Sequence, residues 1–294
     1  MKRLMMALVA FAACSADARD PEYFDVWPKD AMPHAEVKIE RRPFCYVHFP
    51  GCRQTDSVMI VAPGGAYDWI AWDYEGFPIR DYLLSRGMTV VLLMYRTPRP
   101  QGLPKHQIAW EDIQRTIRVV RSRAADWKID PEKIGVLGFS AGGHLAMMAA
   151  TCSQTPAYAP LDAVDKLPCH CNFAVPVYPA YVLADGMDDQ GNKLKGNDLT
   201  TPFAPEFKFD AKTPPMCFLH GDGDTYSPMG SVRAYHKLRT MGIPAELHVM
   251  ARRPHGFQLH AQPGTPAFSW MDRIWEWMTQ MGFNAPVQKK EAAK

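Results

Sequence analysis

The most reactive arrangement in the chain is Gly138-Phe139-Ser140-Ala141-Gly142. A serine with glycines two residues to either side suits a sharp strand-to-helix turn that lifts the hydroxyl clear of the backbone. Such a string arises by chance in roughly one chain in ten at ordinary Gly and Ser frequencies, so context must decide. Here Ile134-Gly135-Val136-Leu137 leads in as an apolar strand, and an Ala-rich helical run leads out. The helix N-terminus beneath the serine favours developing negative charge. A phosphate-binding turn is the competing reading, but neither G-x-G-x-x-G nor G-K-[ST] occurs.

A serine hydroxyl is a weak nucleophile and needs a base, which in turn needs an orienting acid. Behind a nucleophile elbow the order along the chain is serine, acid, histidine. The acid is expected just past the apolar run 216–220, where Gly221-Asp222-Gly223-Asp224 offers Asp222 and Asp224. The histidine is expected after 246–250, in Arg252-Arg253-Pro254-His255-Gly256-Phe257. Acyl transfer also needs amides aimed at the tetrahedral oxygen. Pro63-Gly64-Gly65-Ala66-Tyr67 follows the run 57–62, and the amides of Gly65, Ala66 and Ala141 are the expected donors. This chemistry calls for no metal or cofactor. It should fade below about pH 6, because the base must be a neutral imidazole.

These residues require a scaffold that brings strand ends together. Residues 44–49 alternate like a strand, and 57–62, 88–95, 133–139, 172–178, 216–220 and 246–250 read as further strands, mostly buried ones. Helical spacing covers 76–86, ending at Gly87, and 108–124, with Ile108, Ile113, Ile117 and Val120 on one face. Further helices are expected at 141–150, 229–241 and 267–281. Strands alternating with helices imply an α/β fold with a mostly parallel sheet covered on both faces. Residues 151–171 and 179–213 read as long, Pro-rich loops or insertions of the kind that shape specificity.

Composition agrees with one large globular domain. The 294 residues carry 33 Lys+Arg against 31 Asp+Glu, a formal charge of +2, which argues against nucleic acid as partner. The 26 prolines, about 9%, exceed the usual ~5% and suggest many loops held in one shape. Lys2, Arg3 and the apolar run 4–13 read as a secretory signal, too short to span a bilayer. Ala16-Asp17-Ala18 offers cleavage after residue 18, whereas Phe11-Ala12-Ala13-Cys14 resembles a lipobox that would leave a lipid anchor on Cys14. Either route implies export, to the periplasm, the medium or the outer surface. Residues 19–43 read as a surface arm, 44–283 as the catalytic body and 284–294 as a tail. Export permits disulfides. Cys45 and Cys52 could close a turn around Pro50-Gly51, and Cys152 could pair with Cys169 or Cys171. Cys217, within an apolar run, reads as a buried thiol. Cys169-His170-Cys171 lacks a second ligand cluster and is not read as a metal site.

Beyond these parts, residues 44–283 resemble an α/β-hydrolase, in particular the secreted acetylxylan esterase-like and feruloyl esterase-like carbohydrate esterases. The similarity runs through PGGAY (63–67), YEGFPIRDYLLSRG (74–87), RSRAADWKIDPEKIGVLGFSAGGHLA (121–146), TPPMCFLHGDGD (213–224) and IPAELHVM with HGF (243–257). It implies a triad of Ser140, Asp224 and His255. Asp224 is preferred over Asp222 because the family's acid stands four residues before a proline, here Pro228. Ala66 replaces a more usual glycine, and Arg252-Arg253-Pro254 replaces a Gly-rich approach to the histidine. The resemblance implies a serine esterase acting on carboxylic, foremost acetyl, esters of plant polysaccharide or oligosaccharide such as xylan; the alternatives are a feruloyl or broad small-ester carboxylesterase and a non-catalytic carbohydrate-binding surface protein. Tyr67, Trp69, Trp72 and Tyr178 are the candidate substrate contacts, with Tyr74 and Tyr181 beside them. Aromatics there can stack on a sugar or feruloyl ring or simply pack beneath the loop. His144 and His220 are read as structural, Asp112 as a helix-start charge or loop anchor, and His106 and His260 as surface-loop residues, with lining the cleft as the alternative. Oligomeric state is not read from the sequence.

Overall fold

A computed structural model describes residues 19–184, 200–260 and 269–286. The signal reading, Cys14 and the tail beyond 286 fall outside the described residues, as do 185–199 within the second long loop. The side chain of His260 is likewise not described.

Eight strands form one sheet: β1 (Glu22–Asp25), β2 (Phe44–His48), β3 (Val58–Ala62), β4 (Thr89–Met94), β5 (Ile134–Phe139), β6 (Phe173–Val177), β7 (Met216–Gly221) and β8 (Ala245–Met250). Their order is β1-β2-β4-β3-β5-β6-β7-β8. The pairs β1–β2 and β2–β4 are antiparallel and the rest parallel. The helices are α1 (Phe77–Ser85), α2 (Gln107–Ser122), the single turn α3 (Ala124–Trp127), α4 (Ala141–Thr151), α5 (Met229–Thr240) and α6 (Trp270–Gln280).

The continuous apolar runs are explained by burial on both faces. Val58, Ile60 and Ala62 of β3 point into a core shared with Ile113 and Ile117 of α2, Leu145 of α4 and Leu238 of α5. Met59 and Val61 point the other way, onto Ile79 and Leu83 of α1 and Ile274 and Trp277 of α6. A strand covered on both sides cannot alternate with polar residues. Each fully buried large apolar side chain contributes about 1.5–3 kcal/mol. Helix α1 ends where the sequence indicated: Gly87, at φ +77°, donates to Leu84 O, and Met88 donates to Leu83 O. A Cβ at Gly87 would stand 2.5 Å from Gln54 N, so glycine is required there.

The stretch 19–43 is more than a surface arm. Its β1 pairs with β2, and Val26 and Trp27 are buried. The anchor is polar: Trp27 Nε1 donates to Asp112 Oδ1 at 2.6 Å, and the same carboxylate accepts from Arg96 N at 2.7 Å and Arg96 Nε at 3.0 Å. Asp112 lies inside α2 rather than at its start, and it acts as the loop anchor. The C-terminal boundary also extends past 283: Asn284 is buried, donating to Trp275 O, and Pro286 bridges to Thr55.

The disulfide expectations are corrected. Cys45, Cys152, Cys169, Cys171 and Cys217 are all free, buried thiols. Cys45 points into the core beside Thr116 Oγ1 at 3.8 Å, away from the Pro50-Gly51 turn. Cys45 is thus not bonded to Cys52, nor Cys152 to Cys169 or Cys171. Cys217 is a buried thiol, as expected. Among the described residues no helix is long and apolar enough to cross a membrane.

Candidate active site

Ser140 occupies the one-residue turn between β5 and α4 with φ 51° and ψ −117°, a strained conformation for a non-glycine residue. The crowding around it explains the motif. A Cβ on Gly138 would meet Gly142 O at 2.0 Å, and one on Gly142 would meet Ala62 O at 2.0 Å. The neighbouring backbone holds the turn, with Ser140 N donating to Val177 O and Ala180 N to Ser140 O. Ala141 opens α4, so its amide is among the first-turn donors that lack an intrahelical acceptor.

The loop after β8 brings His255 over the serine, with Nε2 2.7 Å from Ser140 Oγ. On the far side of the ring, Nδ1 lies 2.9 Å from both carboxylate oxygens of Asp224. Asp222, by contrast, is exposed on the turn. Asp224 also accepts from Tyr226 N at 2.7 Å and lies 3.3 Å from His220 Nε2. Burial pushes its carboxyl up, but hydrogen bonds and charge from His220 and His255 outweigh that, leaving it below the usual carboxylate range. His220 is buried, held by Ser231 Oγ and Tyr226 O. It is structural, as expected, and it packs beside the Asp224 carboxylate. Its place four residues before Asp224 is the only sequence signal of this. The Arg252-Arg253-Pro254 approach does not displace the histidine. Instead Arg253 O accepts from Gly223 N at 3.0 Å, tying the histidine loop to the acid loop.

The Gly64-Gly65 loop packs directly on the elbow. A Cβ on Gly64 would stand 2.9 Å from both Phe139 O and Ser140 Cβ. Gly65, Ala66 and Tyr67 all take positive φ (129°, 55° and 65°). The loop then closes on itself as Asp68 N and Trp69 N donate to Gly65 O. Three side chains fix it from outside. Tyr95 donates its hydroxyl to Pro63 O, Arg99 makes a bidentate pair with Asp68, and Glu75 accepts from Gly64 N at 2.6 Å. Glu75 was not singled out in the sequence. It sits on the π-helical turn Trp72–Gly76 before α1, and its other oxygen accepts from Tyr178 Oη at 2.7 Å. Burial drives its carboxyl upward more than these two bonds and His255 draw it down.

The aromatic candidates divide. Tyr67 is fully buried, its hydroxyl 2.8 Å from His144 Nδ1, so it supports the loop from beneath and is not an exposed substrate contact. Tyr178 is also buried, its ring edge-on to His255 at 5.2 Å, so it backs the histidine and forms no open wall. Trp72 is half-buried and stacked on Phe77. Trp69 and Tyr74 remain exposed, at 54% each, and available to a ligand. Tyr226, not considered from sequence, places its ring 4.7 Å from that of His255.

His144 is structural, as expected, bonded to Tyr67 and through Nε2 to Glu206 at 2.9 Å. His106 joins them: His106, His144 and Glu206 hold ligand-type atoms within 4.8 Å of one another, as do Cys217, Glu246 and His248. These groups could in principle hold a metal. In the first, the His144–Glu206 hydrogen bond already occupies two of the three ligand groups, and neither group includes Ser140, His255 or Asp224.

Fold and site together define an α/β hydrolase. The BD-FAE family model matches residues 47–173. The chain is 25% identical over 210 residues to the acetylxylan esterase of Xylanibacter ruminicola, covering 68% of this chain and 40% of that one. It is 28% identical over 221 residues to endo-1,4-beta-xylanase B of Butyrivibrio fibrisolvens, covering 72% and 34%. The chain thus spans less than half the length of these two curated relatives. Among solved structures, the acetyl ester-xyloside bifunctional hydrolase from Caldicellulosiruptor lactoaceticus aligns with a TM-score of 0.75 at 27% identity, over 89% of this chain and 97% of that one. The propionate-bound esterase Est2 of Thermogutta terrifontis shares the fold, with a TM-score of 0.67 at 24% identity, over 89% and 98%. Within the α/β hydrolases, the chain is similar to the proteins named acetylxylan esterase and acetyl ester-xyloside bifunctional hydrolase.

Proposed function

We propose that the chain is a serine esterase that removes acyl groups, acetyl foremost, from plant polysaccharide such as xylan or its oligosaccharides. The observation that carries this is the unbroken line from Ser140 Oγ through the His255 imidazole to Asp224. Ser140 attacks the ester carbonyl while His255 Nε2 takes its proton. The tetrahedral oxygen is held by the amides of Gly65, Ala66 and Ala141. The C–O bond to the sugar breaks as His255 returns the proton to the leaving alcohol. Water then adds to the acyl-serine, His255 again taking the proton, and acid and free serine are released. Asp224 fixes the ring tautomer and steadies the imidazolium. The choice of acetylated carbohydrate rests on the names of the relatives: an acetylxylan esterase, a xylanase and an acetyl ester-xyloside hydrolase. Export, by plain cleavage after residue 18 or by lipidation of Cys14, rests on the N-terminal sequence. N-terminal sequencing of the protein made in a secreting host tests it.

The central test is Ser140→Ala assayed on a chromogenic acetate ester. Loss of turnover in a variant that melts like the parent is expected, and full activity would overturn the mechanism. An acyl-chain series, with product analysis on acetylated xylan beside feruloylated arabinoxylan, settles the acyl group. Equal or better release of feruloyl groups would replace the acetyl reading with a feruloyl or broad carboxylesterase.

A further inference from the structure

We propose that Glu75 is a positioning residue that holds the oxyanion loop and the histidine-backing strand end in one register. This rests on the serine esterase reading above. Glu75 is 4% exposed, and each of its carboxylate oxygens has one donor. Oε2 takes the amide of Gly64, immediately before the two amides assigned to the oxyanion. Oε1 takes the hydroxyl of Tyr178, the residue that follows β6 and lies edge-on to His255. One rigid carboxylate therefore spans the two sides of the reaction centre.

The space around Gly64 gives this bridge its leverage. A Cβ there would meet Glu75 Oε2 at 2.8 Å as well as Ser140 Cβ at 2.9 Å, so carboxylate, loop and nucleophile are in mutual contact. A carboxylate buried this deeply is costly unless its lone pairs are used, and both donors present are aimed at it. Oxyanion donors act only when their direction is fixed before the charge develops. A loop with three consecutive positive φ values does not fix its own direction, since turns of this kind are held by their surroundings. Gly64 N is the loop's hydrogen-bond tether to Glu75, as Pro63 O is its tether to Tyr95. Because the transition-state oxygen feels the loop more than the ground-state substrate does, loss of the tether should lower kcat and spare KM.

The test uses Glu75→Ala, Glu75→Gln and Tyr178→Phe in the full chain, with steady-state kinetics on a chromogenic acetate and melting curves. Glu75→Ala is expected to lower kcat about 100-fold with KM within about threefold. Glu75→Gln, whose amide oxygen can still accept from Gly64, should recover to within about tenfold of the parent. Tyr178→Phe should lower kcat about tenfold. If Glu75→Ala does not fold, the isosteric Gln and Phe variants carry the test. A folded Glu75→Ala or Tyr178→Phe variant with unchanged kcat, or with the loss confined to KM, overturns the proposal. Should Ser140→Ala retain activity, the esterase reading itself fails. An inactive Ser140→Ala beside fully active Glu75 variants removes only the role of Glu75.

Discussion

Both carboxylate oxygens of Asp224 lie 2.9 Å from Nδ1 of His255, 31 positions further along the chain. The imidazole is thus clamped with one nitrogen on the acid and the other on Ser140. Replacing Asp224 by Asn keeps the shape but allows the amide to donate, favouring the wrong tautomer. Asp224→Asn is expected to lower kcat on a chromogenic acetate by about 10⁴. Asp222, exposed on the same turn, gives a control. Asp222→Asn should stay within about twofold. The reverse ranking would reassign the acid.

The positive φ values of the Gly64-Gly65 loop separate two neighbouring substitutions. Gly65 has φ +129°, and a Cβ there would lie 2.0 Å from Trp69 O. Gly65→Ala must therefore move the loop, and a loss of about 100-fold in kcat is expected. Ala66, at φ 55°, tolerates glycine, which leaves its amide in place. Ala66→Gly should keep kcat within about threefold. Parallel kinetics on the two variants check the contrast, and equal losses would place the oxyanion elsewhere.

Acid should weaken the fold through His106. Its burial, with the nearby His144, pushes the imidazole from 6.5 down to about 4, although Glu206 opposes this. The folded chain then binds fewer protons than the unfolded one between these values. The contribution of this group is fully present above about pH 6.5 and is lost as pH falls toward 4. His106→Gln should flatten the decline of melting temperature over that window, by on the order of 2 kcal/mol in stability. An equally steep decline in the variant would contradict this.

Asp112 should matter for stability and not for chemistry. Its side chain and that of Arg96 are both wholly buried, and it also takes the indole of Trp27. Asp112→Ala leaves Arg96 paired with Glu111 alone and strands the buried Trp27 indole, at a cost of about 1–3 kcal/mol. Chemical denaturation measures the loss. Rate per folded molecule should be unchanged, and a selective fall in kcat at full stability would contradict the anchor role.

Much of this was legible from local pattern. The seven strand segments identified in the sequence all appear, because a parallel sheet covered on both faces forces unbroken apolar runs. The elbow was legible because only glycine fits within 2.0 Å of a facing carbonyl, as at Gly138 and Gly142. The first strand was not: Glu22–Asp25 is only four residues long at the sheet edge, where partly buried and exposed residues alternate and no apolar run is required. The cysteine pairings failed for a related reason. Proximity in sequence suggested Cys45 with Cys52, but strand alternation turns Cys45 inward.

By itself the sequence determined which residue types carry the chemistry, their order along the chain and the strand ends that bear them. Those follow from local sterics and from the period of burial. Only the tertiary structure put Asp224 beside His255 and left Asp222 exposed, buried Tyr67 and Tyr178, and joined Glu75 to Gly64. Each of those depends on which strand end lies beside which. That is set by sheet order, through contacts between residues far apart in sequence that no local spacing encodes.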